Sequence, residues 1–139
     1  MRLYSLLVIY CVFYFSSLHA IPTAYAQDQT GAAGPDKIKA MLFRPAGWTA
    51  DHIGPSGSGK TEFIYEARGE KVVAKIQGLS RSDGAPLVSC EQEVTITSDG
   101  IKHNGCRERE ITLRFDPNDQ DYPLKGKSSL GYEYKFKAK

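Results

Sequence analysis

Leu130-Gly131-Tyr132-Glu133-Tyr134-Lys135-Phe136-Lys137-Ala138-Lys139 decides the fold class. Tyr132, Tyr134 and Phe136 alternate with Glu133, Lys135 and Lys137. Successive side chains of a strand point to opposite faces, so this segment lays its rings on one side and its charges on the other. The rings belong to a core, and the lysines to water or to a sheet edge guarded against aggregation.

The same period recurs upstream. Residues 107–115 carry Ile111, Leu113 and Phe115 on one face. Residues 87–97 set Val94 and Ile96 against Thr95 and Thr97. Residues 70–77 put Val72, Ala74 and Ile76 on one side, and residues 61–67 set Phe63, Tyr65 and Ala67 against Glu62 and Glu66. Residues 37–44, with Ile38 and the Met41-Leu42-Phe43 cluster, read as the first strand, followed by the turn Pro45-Ala46-Gly47 and by Trp48. Residues 51–60 read as a Gly/Ser loop, and 78–86 as a polar connection. Short alternating runs punctuated by Gly, Pro, Asn and Asp are the all-β signature, and no window of 11 residues carries a helical stripe. The pattern predicts a small antiparallel up-and-down β-barrel of seven to eight short strands, with a flattened sandwich as second choice.

The chain has 139 residues, three cysteines and a net charge of +2. Its start has the order of a signal peptide: Arg2, an apolar run over residues 3–18, then Ala24-Tyr25-Ala26 as a small-residue cleavage site. This predicts a leader over 1–26, a polar tether over 27–36 and one domain over 37–139. It also predicts a periplasmic or secreted location, with no membrane span once the leader is removed. Cys11 falls in the leader, and Val8-Ile9-Tyr10 before it lacks the small residues of a lipid-attachment box. Cys90 and Cys106 remain, and an even pair in an exported chain predicts one disulfide, worth about 3 kcal/mol in the chain-entropy model. The near-neutral charge gives no basis for a nucleic-acid or anionic-membrane partner.

Asp99-Gly100 and Asn104-Gly105 are hairpin dipeptides. A two-residue turn at Asp99-Gly100 would place Cys106 opposite Glu93 rather than Cys90. A bulge at Asn104-Gly105, or a displaced strand after it, is therefore needed. The expected arrangement is a narrow meander, with a short strand over 101–103, a further strand from Cys106, and the bridge pinning its base.

Several motifs invite chemistry. Gly54-Pro55-Ser56-Gly57-Ser58-Gly59-Lys60-Thr61 matches the phosphate-loop pattern at every position. A phosphate loop needs an apolar strand before it and a helix after it, and residues 62–67 alternate as a strand; the segment reads as a flexible connection. Asp116, Asn118, Asp119 and Asp121 resemble the start of a calcium loop. Asp121 stands where the glycine belongs and Lys127 where the bidentate glutamate belongs, so an Asx-turn cluster is expected. Asp51, His52, Ser56 and Ser58 suggest a hydrolase without its nucleophile elbow. Glu91/Glu93 and Glu108/Glu110 are same-face carboxylate pairs, read as solvent-facing ion pairs. His103 reads as a surface residue in a tight turn.

Gly47-Trp48 before the first strong hairpin, the series of short strands, and Gly131-Tyr132-x-Tyr134 at the end resemble small exported lipocalin-like barrels. The resemblance implies a Trp plugging one end and a ligand held inside. The expected function is non-catalytic binding of a small apolar or amphipathic ligand by a monomer, without cofactor or metal. Trp48, Phe63, Tyr65, Phe115, Tyr132 and Tyr134 are the leading lining residues, with Ile111, Leu113 and Phe136 beside them. The alternative is a module with a solid core, an enzyme inhibitor or envelope partner, contacting protein through residues 51–60 and 79–86.

Overall fold

The computed structural model describes residues 34–107 and 109–139. The leader at 1–26, Cys11 and most of the tether at 27–36 lie outside the described residues. A helix, α1 (Pro35–Leu42), precedes eight strands: β1 (Trp48–Gly54), β2 (Gly57–Arg68), β3 (Lys71–Leu79), β4 (Pro86–Ile96), β5 (Gly100–Asn104), β6 (Glu110–Phe115), β7 (Leu124–Ser128) and β8 (Glu133–Ala138). Each strand pairs antiparallel with the next, and β8 returns to β1, closing an up-and-down barrel. The barrel and its Cys90–Cys106 disulfide agree with the sequence pattern. Because β8 is paired on both sides, its lysines guard no edge. They form the outer face, where Lys139 reaches Glu62 at 2.6 Å.

Residues 37–44 are not a strand. Pro35 occupies the first helical turn, where its missing N–H costs nothing, and Asp36 complements the positive helix end. Ile38 and Leu42, four residues apart, fall on one face and are fully buried. At eight residues the helix is shorter than the window in which a stripe becomes visible. It closes the lower end of the barrel: the Trp48 indole N–H donates to the Leu42 carbonyl at 3.1 Å, and the Arg44 guanidinium lies 4.9 Å from the Trp48 ring. One of the helix's free C-terminal carbonyls is thereby satisfied inside the fold.

Residues 51–60 are not a loop either. Asp51 pairs with Lys60, His52 with Gly59, Ile53 with Ser58 and Gly54 with Gly57, so β1 and β2 form one hairpin turning at Pro55-Ser56. The glycines that imitate a phosphate loop have a different task. A Cβ on Gly54 would lie 2.3 Å from the Tyr132 ring, and one on Gly59 would lie 2.7 Å from the His52 ring. Both rings are seated against backbone.

The hairpin at residues 96–101 turns at Ser98-Asp99, with the Thr97 N–H donating to the Gly100 carbonyl at 2.9 Å. Gly100 is not at positive φ. It is required by packing, since a Cβ there would fall 1.9 Å from the Leu113 carbonyl oxygen. β6 starts at Glu110 rather than at Cys106, and Cys106 sits in the β5–β6 loop, where the Gly105 N–H donates to the Arg109 carbonyl.

This placement gives the disulfide a definite job. β4 pairs with β5 only over residues 94–96. Its preceding residues pair with β3 alone, leaving a gap in the wall, and Cys90 reaches across that gap to the β5–β6 loop.

Candidate functional site

The lower half of the barrel is packed solid by Trp48, Ala50, Phe63, Leu113, Leu124 and Phe136, all essentially buried. The upper half is open. There the β1–β2 turn, the β3–β4 loop, the β5–β6 loop and the β7–β8 turn surround a cavity of about 500 Å³. Phe63, Ile76, Ile111 and Tyr134 lie deepest in the strand order, and Gly59 and Gly78 provide room along the wall. Val88 packs over Gly78, where a Cβ would come within 2.9 Å of its methyl carbon. At the mouth are Ser56, Ser80, Arg81, Ser82, Arg107 and Arg109.

The predicted lining residues divide. Phe63, Tyr132 and Tyr134 meet in the cavity. Trp48 is buried at the opposite end under α1, as a plug. Tyr65 is buried in the core, and Phe115 is half-buried, packed against the core at the lower end of β6, where it also borders an outer groove with Asp116 and Lys127. Leu113 and Phe136 are core residues. Arg81, Arg107, Arg109 and His52 were not among the predicted lining residues. Their loops carry no apolar period, so their convergence depends on which strand ends share the top of the barrel.

His52 lies between two rings, 5.9 Å from Tyr132 and 5.3 Å from Tyr134. Its Nδ1 is buried without a hydrogen-bond partner among the described residues. Burial, reinforced by the positive charges of Arg109 and Arg81, lowers its pKa below the ordinary 6.5. The imidazole is neutral at pH 7. Arg109 stacks over the Tyr132 ring at 5.0 Å, and Arg81 donates from Nη2 to the Ser56 carbonyl at 3.3 Å. Ser56 Oγ and the Tyr132 hydroxyl are also hydrogen-bonded, tying the β1–β2 turn to the β7–β8 turn.

Of the hydrolase candidates, His52 and Ser56 both line the cavity. Asp51 and Ser58 face outward, on the opposite side of the pleat from His52. His103 is not on the surface. It is 4 % exposed, and burial lowers its pKa. Its Nδ1–H donates to the Asn104 carbonyl at 2.8 Å, which fixes the tautomer and leaves Nε2 to accept from the Tyr65 hydroxyl at 3.3 Å. Burial pushes the Tyr65 phenol far above its usual range, so the donor keeps its proton.

The aspartate cluster forms Asx turns: Asp116 accepts from the Asn118 N–H, and Asp119 from those of Asp121 and Tyr122. Lys125 fills the cluster's charge, 2.6 Å from Asp119 and 3.3 Å from Asp116. Glu91 and Glu93 face solvent and pair with Arg68 and Lys71. Glu110 is exposed, and Glu108 lies outside the described residues. Among the described residues, no helix is long and apolar enough to cross a membrane. No family model, curated protein or solved structure matches the chain.

Proposed function

We propose that the protein is an exported, monomeric, non-catalytic binding protein that holds one small amphipathic molecule in a lipocalin-like barrel. The observation that carries this reading is the cavity of about 500 Å³ at the upper end. Small-molecule pockets span about 300–1,000 Å³ and combine apolar walls with a few placed polar groups. Here apolar groups lie at the floor and polar ones at the mouth, which suits a ligand with one end of each kind. The Cys90–Cys106 bridge supports export, because such bonds persist in oxidising compartments. The splitting of Asp51 and Ser58 from His52 by the pleat supports binding without turnover. The alternative, a protein-binding module acting through residues 51–60 and 79–86, calls for a barrel filled by its own side chains. The open upper half favours the ligand.

Native mass spectrometry on protein purified from its own cell envelope tests the proposal. One non-covalent adduct of a few hundred daltons is expected, and Val88→Trp, which fills the entrance, abolishes it. Absence of any adduct, together with no binding from a panel of amphiphiles, refutes it.

A further inference from the structure

Resting on that reading, we infer that the cavity selects amphiphiles with an oxyanion head, held at the mouth between Arg81 and Arg109 with the chain directed toward Phe63, Ile76 and Ile111. The cavity lining contains three cationic side chains from the loops, Arg81, Arg107 and Arg109, and no carboxylate among the described residues; Lys60 lies on the outward face with Asp51. Elsewhere on the barrel, several cations are matched, while Lys102, Lys135 and Lys137 point into open solvent. Arg68 pairs with Glu91, Lys71 with Glu93, Lys75 with Glu66, Lys127 with Glu133 and Lys125 with two aspartates. Among the described residues, neither Arg81 nor Arg109 belongs to any ion pair, so both guanidinium groups are free to meet a ligand at the mouth. Asp83 in the nearby β3–β4 loop does not line the cavity, and its oxygen accepts from the Ala85 N–H.

The two guanidinium groups come from different loops but are held toward one place. Arg81 is tethered to the Ser56 carbonyl, and Arg109 rests on Tyr132. Ser56 and Tyr132 are themselves bonded. Four groups from four loops and turns thus form one connected rim. Both positive charges are felt by His52 beneath them. A guanidinium presents a planar fork of donors that matches carboxylate, phosphate or sulfate oxygens, and such charge-assisted bonds are stronger than neutral ones. Below the rim, the apolar walls accept a hydrocarbon chain. A neutral head would leave the arginines uncompensated, and a cationic head would be repelled.

Isothermal titration of the full protein with octanoate, octanol and octyltrimethylammonium tests this, with octyl phosphate and octyl sulfate as further arms. Octanoate should bind about tenfold more tightly than octanol, the margin of one charge-assisted contact. Octyltrimethylammonium should bind weakest. Arg109→Gln and Arg81→Gln should each weaken octanoate several-fold while leaving octanol unchanged. Tighter binding of octyl phosphate or sulfate than of octanoate also supports the oxyanion site and assigns it a tetrahedral head. Equal affinities for octanoate and octanol overturn the inference but leave the ligand cavity standing. Failure of all five probes to bind overturns both. The head-group series needs no variant, so it decides the matter even where a substitution impairs folding.

Discussion

Removing the disulfide is expected to lower stability and to loosen one identifiable part of the wall. Cys90 and Cys106 are separated by 16 positions. Cross-linking a loop of that size removes unfolded-state freedom worth about 3 kcal/mol. For a domain of about 100 residues, each kcal/mol shifts Tm by roughly 4–8 °C. The Cys90→Ala/Cys106→Ala variant should therefore melt roughly 12–24 °C lower. The loss has a location, because β4 has β5 as a second neighbour only at residues 94–96. Without the bridge, the β5–β6 loop is free to leave β4, carrying Arg107 and Arg109 from the mouth. Calorimetry gives the first quantity. Hydrogen exchange gives the second, with faster exchange expected around residues 105–109 and unchanged protection in β2 and β3. A fall of less than about 5 °C, or uniform loss of protection around the barrel, would refute the idea that the bridge spans a gap that strand pairing leaves open.

Acid should destabilise the protein through buried His103 and half-buried His52. His103 and His52 are held neutral with pKa values below 6.5, so the unfolded chain takes up their protons first. Stability should fall as pH drops below about 6.5 and recover above it. Urea midpoints at about pH 7.5 and about pH 5.5 measure this, and His103→Gln should shrink the difference. Gly126→Ala should cost about 3 kcal/mol or prevent folding, because a Cβ there meets the Thr112 carbonyl oxygen at 1.9 Å. Gly69→Ala, at φ 62° with nothing within 4 Å, should cost only about 1 kcal/mol; urea denaturation compares the two. Trp48 is the only tryptophan, buried at the end opposite the cavity. Its emission should stay essentially unchanged on ligand saturation, and strong quenching would place the ligand elsewhere.

The barrel was legible because five strands advertise themselves by alternation. Phe63/Tyr65, Val72/Ala74/Ile76 and Tyr134/Phe136 leave no other period open. β7 was not legible: Leu124, Gly126 and Ser128 face the interior with only one apolar side chain among them, and Gly126 is bare because the β6 backbone passes so close. The β1–β2 hairpin was hidden by its glycines, of which Gly54 and Gly59 seat rings rather than loosen a loop. α1 was hidden by its length. His103 was misplaced because the Asn104-Gly105 dipeptide suggested a tight turn, whereas the strand continues through Asn104. Three of the six predicted aromatic lining residues, Trp48, Tyr65 and Phe115, lie away from the upper cavity. Alternation tells which side chains point inward, but not how far along the barrel axis each lies. Trp48 and Tyr65 are inward but low, and the space is high. The arginine rim sits on loops, which carry no period at all.

The most direct test of a ligand seated in the upper cavity, head at the arginines, is a chemical-shift titration with octanoate. Saturable shifts should appear at the methyls of Ile76, Val88 and Ile111 and at the side-chain Nε–H groups of Arg81 and Arg109. Ile38 and Leu42, under the barrel, should not respond. Shifts gathered around α1 or the outer groove at Phe115, or no saturable shift at all, would contradict it.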